Sequence, residues 1–257
     1  MRSRIANLNI GKGHLLSVNA DDWGRSQDET DAAAACYSVG RITSVSAMVF
    51  MEDSERAANL ARKNDLSVGL HLNLNESFSG NGVPEEISRE HAKVARFLNG
   101  NKYSVVFYNP FLRKQFSRDF QVQLQEFLRL YGKAPSHFDG HMHHHLCSNM
   151  LVDRVIPAGQ KVRLGFSFSR GERTFLNVIY RNLVNDWIKR QYVIADYFFS
   201  LHSCLQNNGL AHVAKLARAA KVELMVHPKN TWEYDFLMGD SFDAVFNGVE
   251  KGSFSQP

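Results

Sequence analysis

Cysteine is scarce in this chain: three residues in 257, Cys36, Cys147 and Cys204, with no CxxC pair. That argues against a disulfide framework and fits reduced thiols in a cytoplasmic protein. No run of 18 uncharged apolar residues occurs, so no membrane-spanning helix is expected. The basic opening, Met1 to Lys12, lacks an apolar core and a small-residue cleavage site, so no secretory leader is expected and the expected location is cytoplasmic. Charge of one sign is nowhere concentrated. The 30 Lys and Arg are interleaved with 26 Asp and Glu for a net charge of +4, which speaks against a nucleic-acid-binding stripe. Internal repeats and linker-like low-complexity stretches are also missing, and 44% hydrophobic with 22% charged residues is an ordinary globular balance. One domain over residues 1–257 is the expected organisation.

What is present is an alternation of strands and helices. Leu15 to Asn19, Ile42 to Phe50, Leu66 to Leu74, Ser136 to His141 and Val222 to Val226 read as strands. Between and after them Gln27 to Val39, Ser54 to Lys63 (with Ser54 as cap), Arg118 to Tyr131, Asn149 to Ala158, Arg173 to Lys189 and Gly209 to Ala220 read as helices. Repeated strand–helix order without hairpin signals predicts an α/β fold on a parallel sheet, a single distorted (β/α) TIM-like barrel with loops at its C-terminal face. Residues 75–116 break the rhythm with Gly, Pro and Asn, and form a long excursion holding a short helix near Arg89 to Leu98. Arg173 to Phe199 mixes aromatic and basic residues; it reads as a core helix with extended Lys and Arg side chains, or as a membrane-surface helix if the substrate is lipid-linked.

The eleven histidines are unevenly spread, and the chemistry gathers at strand ends. Asn19-Ala20-Asp21-Asp22-Trp23-Gly24 follows the first strand, Gly69-Leu70-His71-Leu72-Asn73-Leu74 contains the third, and Glu223-Leu224-Met225-Val226-His227-Pro228 ends the last. The fourth cluster, His137-Phe138-Asp139-Gly140-His141-Met142-His143-His144-His145, places a polar side chain at every second position. Each such step advances about 6.6 Å along a strand, so one metal ion can take only one or two ligands from this run. Strand ends of a barrel converge, so acids and imidazoles here would meet around one divalent cation, one carboxylate and two imidazoles leaving positions open for water and substrate. Of the adjacent Asp21 and Asp22, one can ligate and the other act as general base. His227 is forced toward extended geometry by Pro228 and could donate a proton to a leaving group.

These four motifs in this order resemble the YdjC-like family of carbohydrate deacetylases, which includes the chitooligosaccharide deacetylases. The resemblance runs from Leu15 to Pro228. It implies hydrolysis of an N-acetyl group on an amino sugar, in an oligosaccharide or glycoconjugate, with Asp22, His71 and His141 holding one divalent metal, Mg2+ or Zn2+. It further implies Asp21 as general base, His227 as acid near the leaving amine, and Arg163 as a pocket arginine. His143, His145 and Trp23 are expected to line the substrate groove. The expected partner is an N-acetylated amino sugar, with no nucleic acid, membrane contact only for a lipid-linked substrate, and a homodimer compatible with the sequence. Two rival readings are a barrel hydrolase acting on another ester or phosphoester and a non-catalytic glycan-binding barrel. The chain departs from the family pattern at Leu146-Cys147-Ser148 and Lys229-Asn230, both bordering the pocket, so the sugar is not carried over.

Overall fold

The computed structural model describes residues 14–101, 103–165, 167 and 184–253. Its frame is one six-stranded, wholly parallel sheet in the order β4-β3-β2-β1-β6-β5. The strands are β1 (Leu15–Trp23), β2 (Ser44–Ala47), β3 (Val68–Leu72), β4 (Phe138–Gly140), β5 (Tyr197–Ser200) and β6 (Lys221–Val226). Helices α1 (Gln27–Ser38), α2 (Ser54–Lys63), α3 (Glu85–Gly100), α4 (Arg113–Tyr131) and α5 (Ser148–Val152) precede β5. After it come α6 (Leu201–Gln206) and α7 (Leu210–Ala217), and after β6 come α8 (Thr231–Met238) and α9 (Asp240–Phe246).

Central β1 is buried from Leu16 to Trp23, as a parallel strand covered on both faces must be. Local chemistry sets the helix ends. The Ser26 side chain caps α1 by accepting from Glu29 N–H, and α4 ends on Gly132 in the left-handed conformation (φ +66°), where glycine carries no Cβ penalty. Along α4, Phe116, Phe120, Phe127 and Leu130 form the stripe that packs into the core.

Several expectations are corrected. The sheet is curled but open, a half-barrel rather than a closed TIM-like barrel among the described residues. Its two edges are linked instead by irregular backbone bonds: Phe138 N–H donates to Lys161 O and Arg163 N–H to Phe138 O beside β4, while Ser167 N–H donates to Phe198 O beside β5. Ser54 does not cap α2; its hydroxyl accepts from Met51 N–H and donates to Met48 O, leaving Asp53 at the cap position. The excursion is more ordered than its composition suggests, since α3 runs for 16 residues. The helix expected over Arg173 to Lys189 lies mostly outside the described residues, of which 184–189 are helical. The end of the aromatic-basic segment is strand β5, not helix. No helix among the described residues is long and apolar enough to cross a membrane.

Candidate metal centre

Adjacent residues in a regular strand point to opposite faces, yet Asp21 and Asp22 line one cavity of about 300 Å³. The pairing of β1 with β2 slips between Ala20 and Trp23, and Asp22 takes the left-handed backbone conformation (φ +63°). An irregularity at a strand's C-terminal end redirects a side chain in this way. A similar break occurs after β4, where Met142 and His143 both have positive φ (52° and 57°) and the chain turns through a short 3-10 segment, His141–Leu146. The His-rich run therefore leaves the strand at His141, and its alternation does not persist.

The two breaks and β3 bring together Asp22, His71 and His141, whose donor atoms all lie within 4.8 Å of one another. Asp22 Oδ1 is 3.0 Å from His141 Nδ1 and 3.4 Å from His71 Nε2. One carboxylate oxygen and two imidazole nitrogens at this spacing suit a divalent cation at the usual bond length of about 2.1 Å. His71 Nδ1 faces Asp139 Oδ1 at 2.9 Å, the carboxylate–imidazole arrangement that leaves the other ring nitrogen bare for a metal. A second cluster of Asp21, His71 and Asp139 also lies within reach of one point. Its carboxylates, however, are taken up by Arg163, so the first set is the better cradle.

Arg163 is the hub beneath the cavity. Wholly buried, it meets both oxygens of Asp21 at 2.6 and 2.7 Å, Asp139 Oδ2 at 2.7 Å and Glu223 Oε1 at 2.6 Å. A guanidinium suits this position because its planar fork can satisfy several carboxylates at once. Asn19 and Ser46 complete the floor: Asn19 donates to Asp21 Oδ1 at 3.0 Å and to Ser46 Oγ at 2.8 Å, and Ser46 donates to Asp139 Oδ2 at 2.6 Å.

Burial raises Asp22, but hydrogen bonds from His141 and His71 outweigh it and hold the carboxyl well below the usual range. Burial also opposes charge on His71, yet Asp139 and Asp21 raise it to about 10. Burial, with the nearby charges of Asp139 and Asp21, pushes Glu223 up to about 7, while Arg163 pulls the other way.

The other expected residues fall in distinct places. His227 lines the cavity with Asp21 and Asp22, joined by Arg25, Glu29 and Lys229, and its backbone N–H is anchored to Glu233. His143 lines a smaller cavity with Met142, Leu146, Cys147 and Asn185. His145 is buried and faces Arg163 O through Nε2 at 3.2 Å. Trp23 is 1% exposed and its indole donates to Ala57 O, so it packs behind the site instead of facing substrate. Sequence reasoning gave no role to Glu223, Asn19, Ser46, Arg25 or Glu76. For Asn19, Ser46 and Glu223 the available signal was a polar residue inside a near-continuous buried strand, which demands a partner; Arg25 and Glu76 lie outside the strands and carried no such signal.

A solved structure from Enterococcus faecalis V583, named for cellobiose-phosphate cleavage, shares the fold with a TM-score of 0.66 at 15% identity, covering 94% of this chain and 98% of that one. A carbohydrate deacetylase from Mus musculus is 31% identical over 137 residues, 51% of this chain and 43% of the relative. A chitooligosaccharide deacetylase from Serratia marcescens is 31% identical over 137 residues, 51% of each chain. The chain thus spans about half the length of these curated relatives. One from Halalkalibacterium halodurans, also named carbohydrate deacetylase, matches 71% of this chain and 77% of its own length at 26% identity. The family model described as YdjC-like protein matches residues 15–247, from β1 through the candidate centre to the last helix, and the chain belongs to that family.

Proposed function

We propose that this chain is a metal-dependent carbohydrate N-deacetylase, hydrolysing the acetamide of an N-acetylated amino sugar to the free amine and acetate. The observation that carries this reading is the Asp22–His71–His141 cradle, whose Asp22 lines one cavity with Asp21 and His227. The names of the curated relatives support the same activity. A divalent cation held there, Mg2+ or Zn2+, would acidify a water and take up charge developing on the acetyl oxygen.

The chain's own residues do the rest. Asp21 accepts the proton of the attacking water, and the Arg163 fork fixes its carboxylate. Asp139 holds the His71 ring so that Nε2 stays directed at Asp22. His227 delivers a proton to the departing nitrogen, which would otherwise leave as an unfavourable amide anion. The cavity mouth carries Arg25, Glu29, Lys229 and Asn230, polar groups able to orient sugar hydroxyls.

Acetate release from a panel of N-acetylated oligosaccharides, with and without a chelator, tests the proposal. Turnover abolished by chelation and by Asp22→Ala is expected. Full turnover in metal-stripped protein, or phosphate release in place of acetate, would overturn it.

A further inference from the structure

His141 faces Asp22 through Nδ1 at 3.0 Å, so its Nε2 points away from the proposed centre. There the Glu76 carboxylate stands, with Oε2 at 3.7 Å from Nε2. That oxygen is buried and has no hydrogen-bond partner among the described residues, while Oε1 accepts from Arg25 at 2.8 Å. A buried carboxylate oxygen left without a donor is costly, and the nearest ring nitrogen can supply one after a shift of less than an ångström. We propose that Glu76 is the positioning carboxylate of His141, the counterpart of Asp139 behind His71. It holds the proton on Nε2, so that Nδ1 is the nitrogen that gives up its proton to the cation. This rests on the metal-centre reading above.

Glu76 lies on no strand or helix, but its backbone is clamped. Its N–H donates to Asn73 Oδ1 at 2.9 Å, and its carbonyl accepts from Asn73 Nδ2 at 2.7 Å and from His91 Nε2 at 2.9 Å. His91, on α3, turns its other nitrogen to Asp119 Oδ2 on α4 at 2.8 Å. With acceptors on both sides the ring is satisfied only as an imidazolium, and Asp119 stabilises that charge against burial. Asp119 Oδ1 accepts from Gln123 at 2.8 Å, and Gln123 binds both the N–H and the carbonyl of Asn73. Helix α3 of the excursion and the following α4 thus set the loop that presents Glu76. This gives residues 75–116 a task at the centre without direct contact with the cation.

Two measurements on the full chain test the proposal. Zn2+ alone is titrated in competition with a chromophoric chelator, and exchange of the His141 Nε2–H with water is read by 15N NMR, with and without Zn2+. Glu76→Ala should weaken Zn2+ binding by about ten- to a hundredfold, the usual effect of losing an outer carboxylate. It should also leave the His141 Nε2–H without an acceptor, so that this proton exchanges with water faster than in the wild type. Glu76→Gln keeps an acceptor oxygen and should recover most of the affinity, which a merely structural role would not predict. His91→Gln should shift both readouts in the same direction by less. Should Glu76→Ala not fold, Glu76→Thr carries the same readouts. Unchanged Zn2+ affinity and unchanged exchange of the His141 Nε2–H in a folded Glu76→Ala protein would overturn the proposal. If the wild-type chain takes no metal, it is the metal-centre reading that fails, and the exchange of the His141 Nε2–H in metal-free protein still decides the role of Glu76.

Discussion

Arg163 carries one positive charge into a region holding Asp21, Asp139 and Glu223, and it is fully buried. Removing one partner of a buried ion pair costs more than the pair itself contributes, because the remaining charges stay desolvated. Arg163→Ala is therefore expected to lose about 3–5 kcal/mol of stability, read by urea denaturation. Arg163→Lys keeps the charge but loses the fork, and should fall between that variant and the wild type. A loss within experimental error in Arg163→Ala would mean the three acids do not depend on it. The sequence marked Asp21, Asp22, His71 and His141 because each sits at a strand end within a polar cluster, and the structure gathers them. Arg163 had no such marker beyond family resemblance. Its partner Asp21 is 142 positions away in the chain, a pairing that no local pattern encodes. Trp23 was misplaced for a similar reason: the neighbour of two site acids sits on the far side of a strand irregularity.

Strand β3 passes so close to His137 that a side chain at Gly69 has nowhere to go. A Cβ there would lie 2.3 to 2.6 Å from the ring atoms of His137, itself wholly buried and 2.9 Å from Ser46 Oγ. Gly69→Ala should push that ring into the Ser46–Asp139 hydrogen bonds and loosen the support of His71. A fall in melting temperature together with a weaker metal affinity is the expected pair of effects, and an alanine variant matching wild type in both would contradict it. Elements were legible where periodicity was long. The stretches expected as α1 and α2 match within a residue of their ends, and α4 was recognised from its aromatic stripe. Strand β5 was not, because a four-residue strand carries little periodicity, and α3 was read only as a short helix near Arg89 to Leu98 because the Asn and Gly flanking it suggested a loop.

Across the molecule the buried titratable groups oppose one another. Burial lowers His137, His144 and His145 to about 4, so between there and the ordinary value of 6.5 the unfolded chain binds protons the folded chain refuses. Stability contributed by these three is present above 6.5 and is lost as pH falls toward 4. Glu223, raised from 4.5 to about 7, and His71, raised from 6.5 to about 10, act in reverse: the folded chain holds protons the unfolded chain releases, so stability falls as pH rises through those ranges. His143, also lowered by burial, adds to the acid limb and His71 supplies the alkaline one, so the metal-free chain is expected to be most stable near neutral pH. Metal should flatten the alkaline limb by replacing the proton of His71. Scanning fluorimetry from acid to alkaline pH, with and without Zn2+, checks both statements; an alkaline limb that is flat without metal would refute the assignment of His71.

The central place of β1 in the sheet also dictates when the molecule can be completed. Its Leu15–Ala20 edge is bonded to β6, about two hundred residues further along the chain, while its other edge meets β2 within thirty. During synthesis one side of a strand buried along its whole length stays unpaired until nearly the last of the sheet has emerged. Such late closure makes for slow folding and a long-lived sticky intermediate. Chains cut before Lys221 are expected to collect in the insoluble fraction, while those ending after Val249 stay in solution, as fractionation of a truncation series would reveal.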